Sequence, residues 1–542
     1  MEFPHQGESI YYRHQATFVR DFFGDLLYCT GPQASRIREN WHDISLHFDS
    51  DYAAAGHPQF RRVQLDKDVS DLQLYELRRA TEFGIFTGII LNNLPDPTSD
   101  EKEFEATFCH MLLDQANLAF DYQFTRPASS VSHEQTAEKI AALFDKYLRY
   151  QGKDDKWIDC GCAYFTERVL HFVSQSRRIE LCLPAFPCKS SNTDKVTGKD
   201  PDRGEQLALE RLHGFVEAIE QVYEPGAKLW IISDGHVFSD CIGVDDEDVD
   251  SYSQKLIRMN RAIGLRRGDL GRVGFKSLAD LFGLGKAKSF SKRTQVAKLN
   301  IPCINHHIDT KLTAEAELCR RLLMAGCQSQ RPALRARIDS QDAAILALYR
   351  GFSRFMLEDL ELHPHTRAMS RSKQKKLTAQ VAFEMIMRNQ AYSNLVEMIF
   401  PNHVRLSIHA HNNAGPKFGI QLFDPSAVRA VESLSEDSRL MTSRDLLHIP
   451  TPWHNSVAKV VGSETLFVTK AKVVRQALKT GELTGSLGAQ DTRLDACGAV
   501  YFTLCSPTPS KSTEEEKQEP AKKQETPVEP QKTMKSGEGL AS

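Results

Sequence analysis

Ile179-Glu180-Leu181-Cys182-Leu183, running into Pro184-Ala185-Phe186-Pro187-Cys188-Lys189-Ser190, and Lys228-Leu229-Trp230-Ile231-Ile232, running into Ser233-Asp234-Gly235-His236, decide the fold class. Each apolar run reads as a strand that ends in a loop of Pro, Gly and polar residues. Between them, Gly204 to Tyr223 has a helical period, with Ala208, Leu212, Phe215, Val216, Ile219 and Val222 on one stripe and Pro225-Gly226 as the stop. About twenty helical residues is the length that a right-handed crossover between parallel strands requires. The expectation is an α/β fold with a mostly parallel sheet flanked by helices. A third run, Val404-Arg405-Leu406-Ser407-Ile408, leads into His409-Ala410-His411-Asn412-Asn413. Ligands of open parallel sheets bind beyond the carboxyl ends of the strands. Lys189, Asp234 and the pair His409 and His411 therefore read as one site built from three distant segments.

Outward from these runs, helices are expected at Thr136 to Tyr150, Asp245 to Ile263, Thr313 to Met324, Ser340 to Leu357 and Lys376 to Phe400. Leu466-Phe467-Val468-Thr469 and Ala499-Val500-Tyr501-Phe502 alternate like antiparallel strands closing the domain. Residues 1–130 read as a mainly helical extension, from Ala16 to Phe23, Asp71 to Arg78 and Phe104 to Leu118, and carry no catalytic motif. From Ser506 to Ser542 the chain is rich in Glu, Lys, Gln, Pro and Ser, and such a composition reads as a disordered tail. The expected organisation is thus an extension over 1–130, a catalytic domain over 131–505 and a tail over 506–542.

The formal net charge of −3 gives no global field toward nucleic acid or an anionic membrane. No apolar run reaches the roughly eighteen residues of a membrane span. The start, Met1-Glu2-Phe3-Pro4-His5, has no basic and apolar leader pattern. The 12 cysteines show no C-x-x-C spacing, which disfavours a disulfide framework or structural zinc. A cytoplasmic protein with reduced thiols is expected.

Each loop residue has two readings. Lys189 is either a surface lysine or a point charge held for a phosphate or carboxylate. Cys188 is a nucleophile or, with no activating histidine close in sequence, a buried structural thiol. Asp234 either caps the next turn or faces a ligand across Gly235. Asp240 could pair with a basic residue or bind an amine. His409 and His411 have strand spacing suited to a metal, but Asn412, Lys417 and Arg405 suit hydroxyl and phosphate groups better. His306-His307-Ile308-Asp309 has the residue types of a metal site but is read as a helix start. Trp453-His454 is either core or a pocket wall. Gly283-Leu284-Gly285-Lys286 lacks the spacing of a phosphate loop, and no dinucleotide fingerprint is present.

Taken together, Leu183 to Asn192, Lys195-Val196-Thr197-Gly198, Pro201-Asp202-Arg203-Gly204-Glu205, Ser233 to Asp240, Ala391-Tyr392-Ser393-Asn394-Leu395, Arg405 to His409 and Thr451-Pro452-Trp453-His454-Asn455 resemble the isocyanide synthase, or pyoverdine/dityrosine biosynthesis, family. The resemblance runs from His133 to Leu504, and two positions, His236 and Ala410, depart from its pattern. It implies a Rossmann-like fold and a cofactor-independent enzyme. Such an enzyme joins the amine of an L-amino acid to C2 of ribulose 5-phosphate, and fragmentation of the adduct leaves an isonitrile. A fungal branch is linked to N-formyltyrosine and spore-wall dityrosine. The resemblance also implies a pathway partner downstream, an oxygenase of the P450 or 2-oxoglutarate/iron type.

For that chemistry Lys189, Arg405 and Lys417 are candidate anion ligands, while Asp234, His236, His409 and His411 are candidate proton carriers. Asp240 is a candidate for the ammonium group, and Asn412, Trp453 and His454 complete the candidate substrate pocket. No metal is expected. The competing class is a non-catalytic regulator on a synthase scaffold, which the retained Lys189, Asp234, His409 and Lys417 disfavour.

Overall fold

The computed structural model describes the backbone of six strands within residues 10–93, residue 111, and residues 131–506 apart from 151, 153, 286–289, 328–330, 401–402, 410–411, 433, 435–449 and 490–498. The chain divides into one compact unit, Met1–Ser506, and a second stretch, Pro507–Ser542, which lies outside the described residues.

The six N-terminal strands are β1 (Ile10–Tyr12), β2 (Leu26–Cys29), β3 (Leu46–Phe48), β4 (Gln59–Leu65), β5 (Leu72–Thr81) and β6 (Gly84–Asn93). Within the described residues of 1–93 the elements are strands, where a mainly helical extension was expected, and the rest of that extension lies outside the described residues. Asp71 to Arg78, expected as a helix, is mostly strand β5. It pairs antiparallel with β6 from Leu72↔Asn93 to Thr81↔Gly84, so long-range pairing overrides a local sequence that fits either period. The helices expected at Ala16 to Phe23 and Phe104 to Leu118 lie outside the described residues, except Met111. Met111 is fully buried among Ile232, Val237, Leu278 and Leu322.

The central sheet is parallel throughout. Its strands are β7 (Ile179–Pro184), β8 (Ala227–Ile232), β9 (Val273–Lys276), β10 (Val404–Ser407) and β11 (Lys417–Gly419), in the order β11-β10-β7-β8-β9. From β7 the chain crosses to β8 on one side, and β10 returns on the other. The order therefore reverses at β7/β10, and open parallel sheets bind their ligands beyond the carboxyl ends at such a reversal. Leu181, Leu183, Leu229, Ile231, Val404 and Leu406 are fully buried on one face, against helices Val131–Asp145, Cys162–Val173, Arg203–Glu220 and Asp246–Arg266. Cys182 and Ile232 on the other face pack with Tyr392 and Leu395 of the long helix Arg371–Ile399. Burial on both faces accounts for the near-continuous apolar runs.

The crossover helix Arg203–Glu220 begins with a capping box. Asp202 accepts from the Gly204 backbone N–H at 2.7 Å, and Glu205 accepts from the Asp202 backbone N–H at 2.8 Å.

The two C-terminal strand runs are present, and each pairs antiparallel with a further strand. β12 (Val428–Ala430), β13 (Ser456–Val460), β14 (Leu466–Thr469), β15 (Thr484–Ala489) and β16 (Val500–Cys505) make a separate mixed sheet in the order β12-β14-β13-β16-β15. Helix Ala471–Thr480 covers it through Ala471, Val474 and Ala477, and Lys470 precedes that helix. No described helix is long and apolar enough to cross a membrane.

Candidate active site

Asp234 follows β8 directly and occupies the residue before helix Gly235–Ile242, yet its side chain makes no capping bond. Its Oδ1 is buried without a hydrogen-bond partner among the described residues. Burial raises this carboxyl to about 7. A Cβ at Gly235 would sit 2.3 Å from the Pro187 carbonyl, so glycine lets the β7 and β8 loops close on one another. Cys188 and Tyr392 lie near enough to feel the Asp234 charge. Burial, with a smaller push from Asp234, raises both the thiol and the phenol. Tyr392 donates to the Ile232 carbonyl at 2.9 Å. Cys188 is thus an inert buried thiol, and Asp234 is an acid poised to exchange a proton near neutrality.

Lys189 does not face an open cleft. Its ammonium is 2.8 Å from Asp202 Oδ2 and 2.9 Å from both Glu205 Oε2 and the Pro452 carbonyl, in a site only 3% exposed. Burial pulls the lysine down, but Asp202 and Glu205 outweigh it and hold it up. Burial in turn raises Glu205, which also accepts from the Tyr252 hydroxyl at 3.1 Å. All three ammonium donors are directed at protein oxygens, so a phosphate role for Lys189 does not fit. The signal in the sequence was the Asp202-x-x-Glu205 capping box.

Asp240 takes the first of its two readings and pairs with basic residues rather than facing an amine. Arg388 binds both its oxygens, with distances of 2.5 and 2.9 Å, and His306 Nδ1 lies 2.7 Å from Oδ2. Burial would raise Asp240, but His306 and Arg388 hold it well below the usual carboxylate range. His306 also reaches Glu317 at 3.2 Å, and Arg320 pairs with Asp246 at 2.9 Å. This network ties helices Ala314–Cys327 and Arg371–Ile399 together and leaves Asp240 engaged at both oxygens rather than open to an incoming amine.

The remaining candidates separate into three positions. Arg405, 8% exposed, stands beside Lys417 in the β10–β11 register and close enough to influence Tyr392, and Lys417 donates to Ser393 Oγ at 2.7 Å. His236 Nε2 lies 3.2 Å from Asp250 at the rim. His409 is exposed after β10, and Asn412 is exposed with Oδ1 accepting from the Ala414 backbone at 3.3 Å. His411 lies outside the described residues. Among the described residues no group of three His, Cys, Asp or Glu side chains could hold a metal.

Trp453 is core, packed at 5.0 Å on Phe186. His454 has a buried Nδ1 without a hydrogen-bond partner among the described residues. Burial drives it well below its ordinary value, helped by Lys195, Lys470, Lys189 and His409. Lys195 and Lys470 had no assigned role in the sequence reading, although Lys195 stands in one of its motifs. Asp234 and His454 flank the same short stretch, because Cys188 senses the first and Lys189 the second. The β7 loop thus runs between the neighbourhood of a buried acid at Asp234 and that of a group of cations around His454.

Residues 169–481 match the family model for the pyoverdine/dityrosine biosynthesis protein. The chain is 43% identical over 406 residues to the spore wall maturation protein DIT1 of Saccharomyces cerevisiae, covering 75% of this chain and 74% of the other. It is 32% identical over 299 residues to the L-tyrosine isonitrile synthase of Xenorhabdus nematophila, covering 55% of this chain and 73% of that one. The crystal structure of the PvcA protein from Pseudomonas aeruginosa aligns with a TM-score of 0.51 at 24% identity, over 69% of this chain and 100% of that one. That likeness supports the fold.

Proposed function

The chain belongs to the pyoverdine/dityrosine biosynthesis family, and on that premise we propose that it is an isonitrile-forming enzyme that condenses the amine of L-tyrosine with ribulose 5-phosphate, with no cofactor. The observation that carries this reading is Asp234, a buried carboxyl without a hydrogen-bond partner at Oδ1, raised to about 7 at the carboxyl end of β8. Amine attack on the ketone C2 forms a carbinolamine, and loss of water gives an imine. Both steps need a group that takes and returns a proton near neutral pH. Asp234 would take the ammonium proton first and return it to the departing hydroxyl. The lysines around His454 suit a sugar phosphate. Tyrosine is favoured among amino acids by the 32% identity to an L-tyrosine isonitrile synthase.

A second reading, formation of N-formyltyrosine for spore-wall dityrosine, is favoured by the 43% identity to the spore wall maturation protein. In either case an oxygenase would act next in the pathway. The deciding experiment incubates the purified protein with ribulose 5-phosphate and each of the twenty amino acids, followed by mass spectrometry. The expected product is the tyrosine isonitrile, whereas the formamide mass supports the second reading. No product with any amino acid, or activity that depends on an added divalent metal, would reject the cofactor-free synthase.

A further inference from the structure

We propose that Lys470, with Lys195, holds the phosphate group of the substrate beside His454, in the place first assigned to Lys189. The inference rests on the sugar-phosphate reading above and locates its anion. The loop after β7 lies across the start of helix Ala471–Thr480. The Ala471 backbone N–H donates to the Lys195 carbonyl at 3.1 Å, and the Lys472 N–H donates to the Asp194 carbonyl at 2.8 Å. This contact sets two lysines beside the Pro452–His454 turn. Lys470 Nζ donates to the His454 carbonyl at 3.1 Å. Lys195 is 2% exposed, sits 4.1 Å over the Phe355 ring and pairs with Asp359 at 2.8 Å. Phe355 in turn meets the His454 ring at 4.9 Å.

The charges do not balance as they do at Lys189. Lys195 has Asp359 for neutralisation, with Glu358 farther off at 3.5 Å. Lys470 has no ion pair among the described residues, and its hydrogen bond to a carbonyl leaves two N–H donors unassigned. The buried His454 Nδ1 beside it also lacks a partner among those residues. Burial and the Lys195 charge lower Lys470 to about 8, outweighing the opposite pull of Glu358, Asp359 and Glu432, none of which pairs with it directly among the described residues. A phosphate dianion supplies that charge and accepts the unassigned donors, including His454 in its Nδ1–H tautomer.

The test begins without turnover. Titration calorimetry with inorganic phosphate should show binding to the wild-type protein and a loss of tenfold or more in Lys470→Met. Lys199→Met, at an exposed ion pair of the same loop, should bind like wild type, and Lys470→Arg should retain binding. No phosphate binding by the wild type, or equal binding by a folded Lys470→Met or Lys470→Gln, overturns the proposal. In steady-state kinetics Lys470→Met should raise KM for ribulose 5-phosphate tenfold or more while leaving KM for the amino acid unchanged. The reverse pattern overturns it by assigning the cations to the amino-acid carboxylate. Borohydride trapping of the sugar on Lys470 also overturns it, because the amine would then be a nucleophile. If the wild type makes no product at all, the function reading fails while the phosphate titration still decides the site.

Discussion

The two ends of helix Gly235–Ile242 carry the same side chain in opposite circumstances. Asp234 at its start is buried without a partner at Oδ1, and Asp240 near its end is gripped by Arg388 and His306. The first is raised to about 7 and the second is held far below the usual range. Lys470 and Lys189 repeat the contrast among cations. A buried charge with all its partners fastens the fold, and one without them waits for a ligand or a proton. Sequence position beyond a strand end does not separate these two kinds.

The largest expected effect tests the unpartnered acid. Asp234→Asn should lower kcat by about 10²- to 10⁴-fold, the usual contribution of a positioned proton carrier, while the melting temperature holds or rises. The rise follows because an aspartate whose folded pKa lies above its unfolded value makes stability fall as pH climbs between the two, here from the usual 3.8 to about 7. The amide removes that penalty above pH 7. Unchanged turnover in a folded Asp234→Asn would erase the distinction between the two aspartates.

The paired charges should respond in stability first. Lys189→Met leaves Asp202 and Glu205 buried without their cation, and Arg388→Met does the same to Asp240. Removing one partner of a buried pair costs about 3–5 kcal/mol. Chemical denaturation should show each variant strongly destabilised, with any activity loss following the unfolded fraction. A fully stable Lys189→Met with a raised KM for ribulose 5-phosphate would return Lys189 to the phosphate site.

A pH profile sharpens the contrast further. As a base Asp234 must be ionised, so kcat/KM should fall as pH drops below about 7. Cys188 and Tyr392, which face it from the β7 loop and from helix Arg371–Ile399, are both raised and remain protonated through that range. Lys470 must be protonated to hold an anion, so KM for the sugar phosphate should rise above about pH 8. His454, lowered well below its ordinary value, adds no limb between them. Asp234→Asn should abolish the acid limb alone, and Lys470→Arg should move the alkaline limb upward. A profile flat from pH 6 to 9 would contradict both assignments.

Much of the α/β core was legible because both of its signals are local. The apolar runs of β7 and β8 and the stripe of helix Arg203–Glu220 need no knowledge of partners. Strand β5 was misread because its residues fit two periods and β6 decided between them. The C-terminal strands were found as antiparallel strands, but not the partners β13 and β15 they take, since pairing is a long-range property. At the site, the sequence located Asp234 and the loop holding Lys189, but not which charges are satisfied. Arg388 reaches Asp240 and Pro452 reaches Lys189 across long stretches of chain, and Lys470 meets Lys195 only through the packing of two sheets' loops.

The smallest effect comes from a lysine that shares the loop with Lys189 and Lys195 but faces water. Lys199 Nζ is 2.5 Å from Asp248, close enough to look important, yet the lysine side chain is 71% exposed and the aspartate 30%. Solvent screens such a pair, and ordering two long side chains offsets most of its Coulomb gain, so exposed pairs contribute only about 0.2–1 kcal/mol. Lys199→Ala should therefore move the denaturation midpoint slightly, by less at high salt, and leave both Michaelis constants alone. If it instead destabilised the protein as strongly as Lys189→Met, burial would not be what separates the lysines of this loop. If it weakened phosphate binding as Lys470→Met should, the anion would sit at the rim and not beside His454.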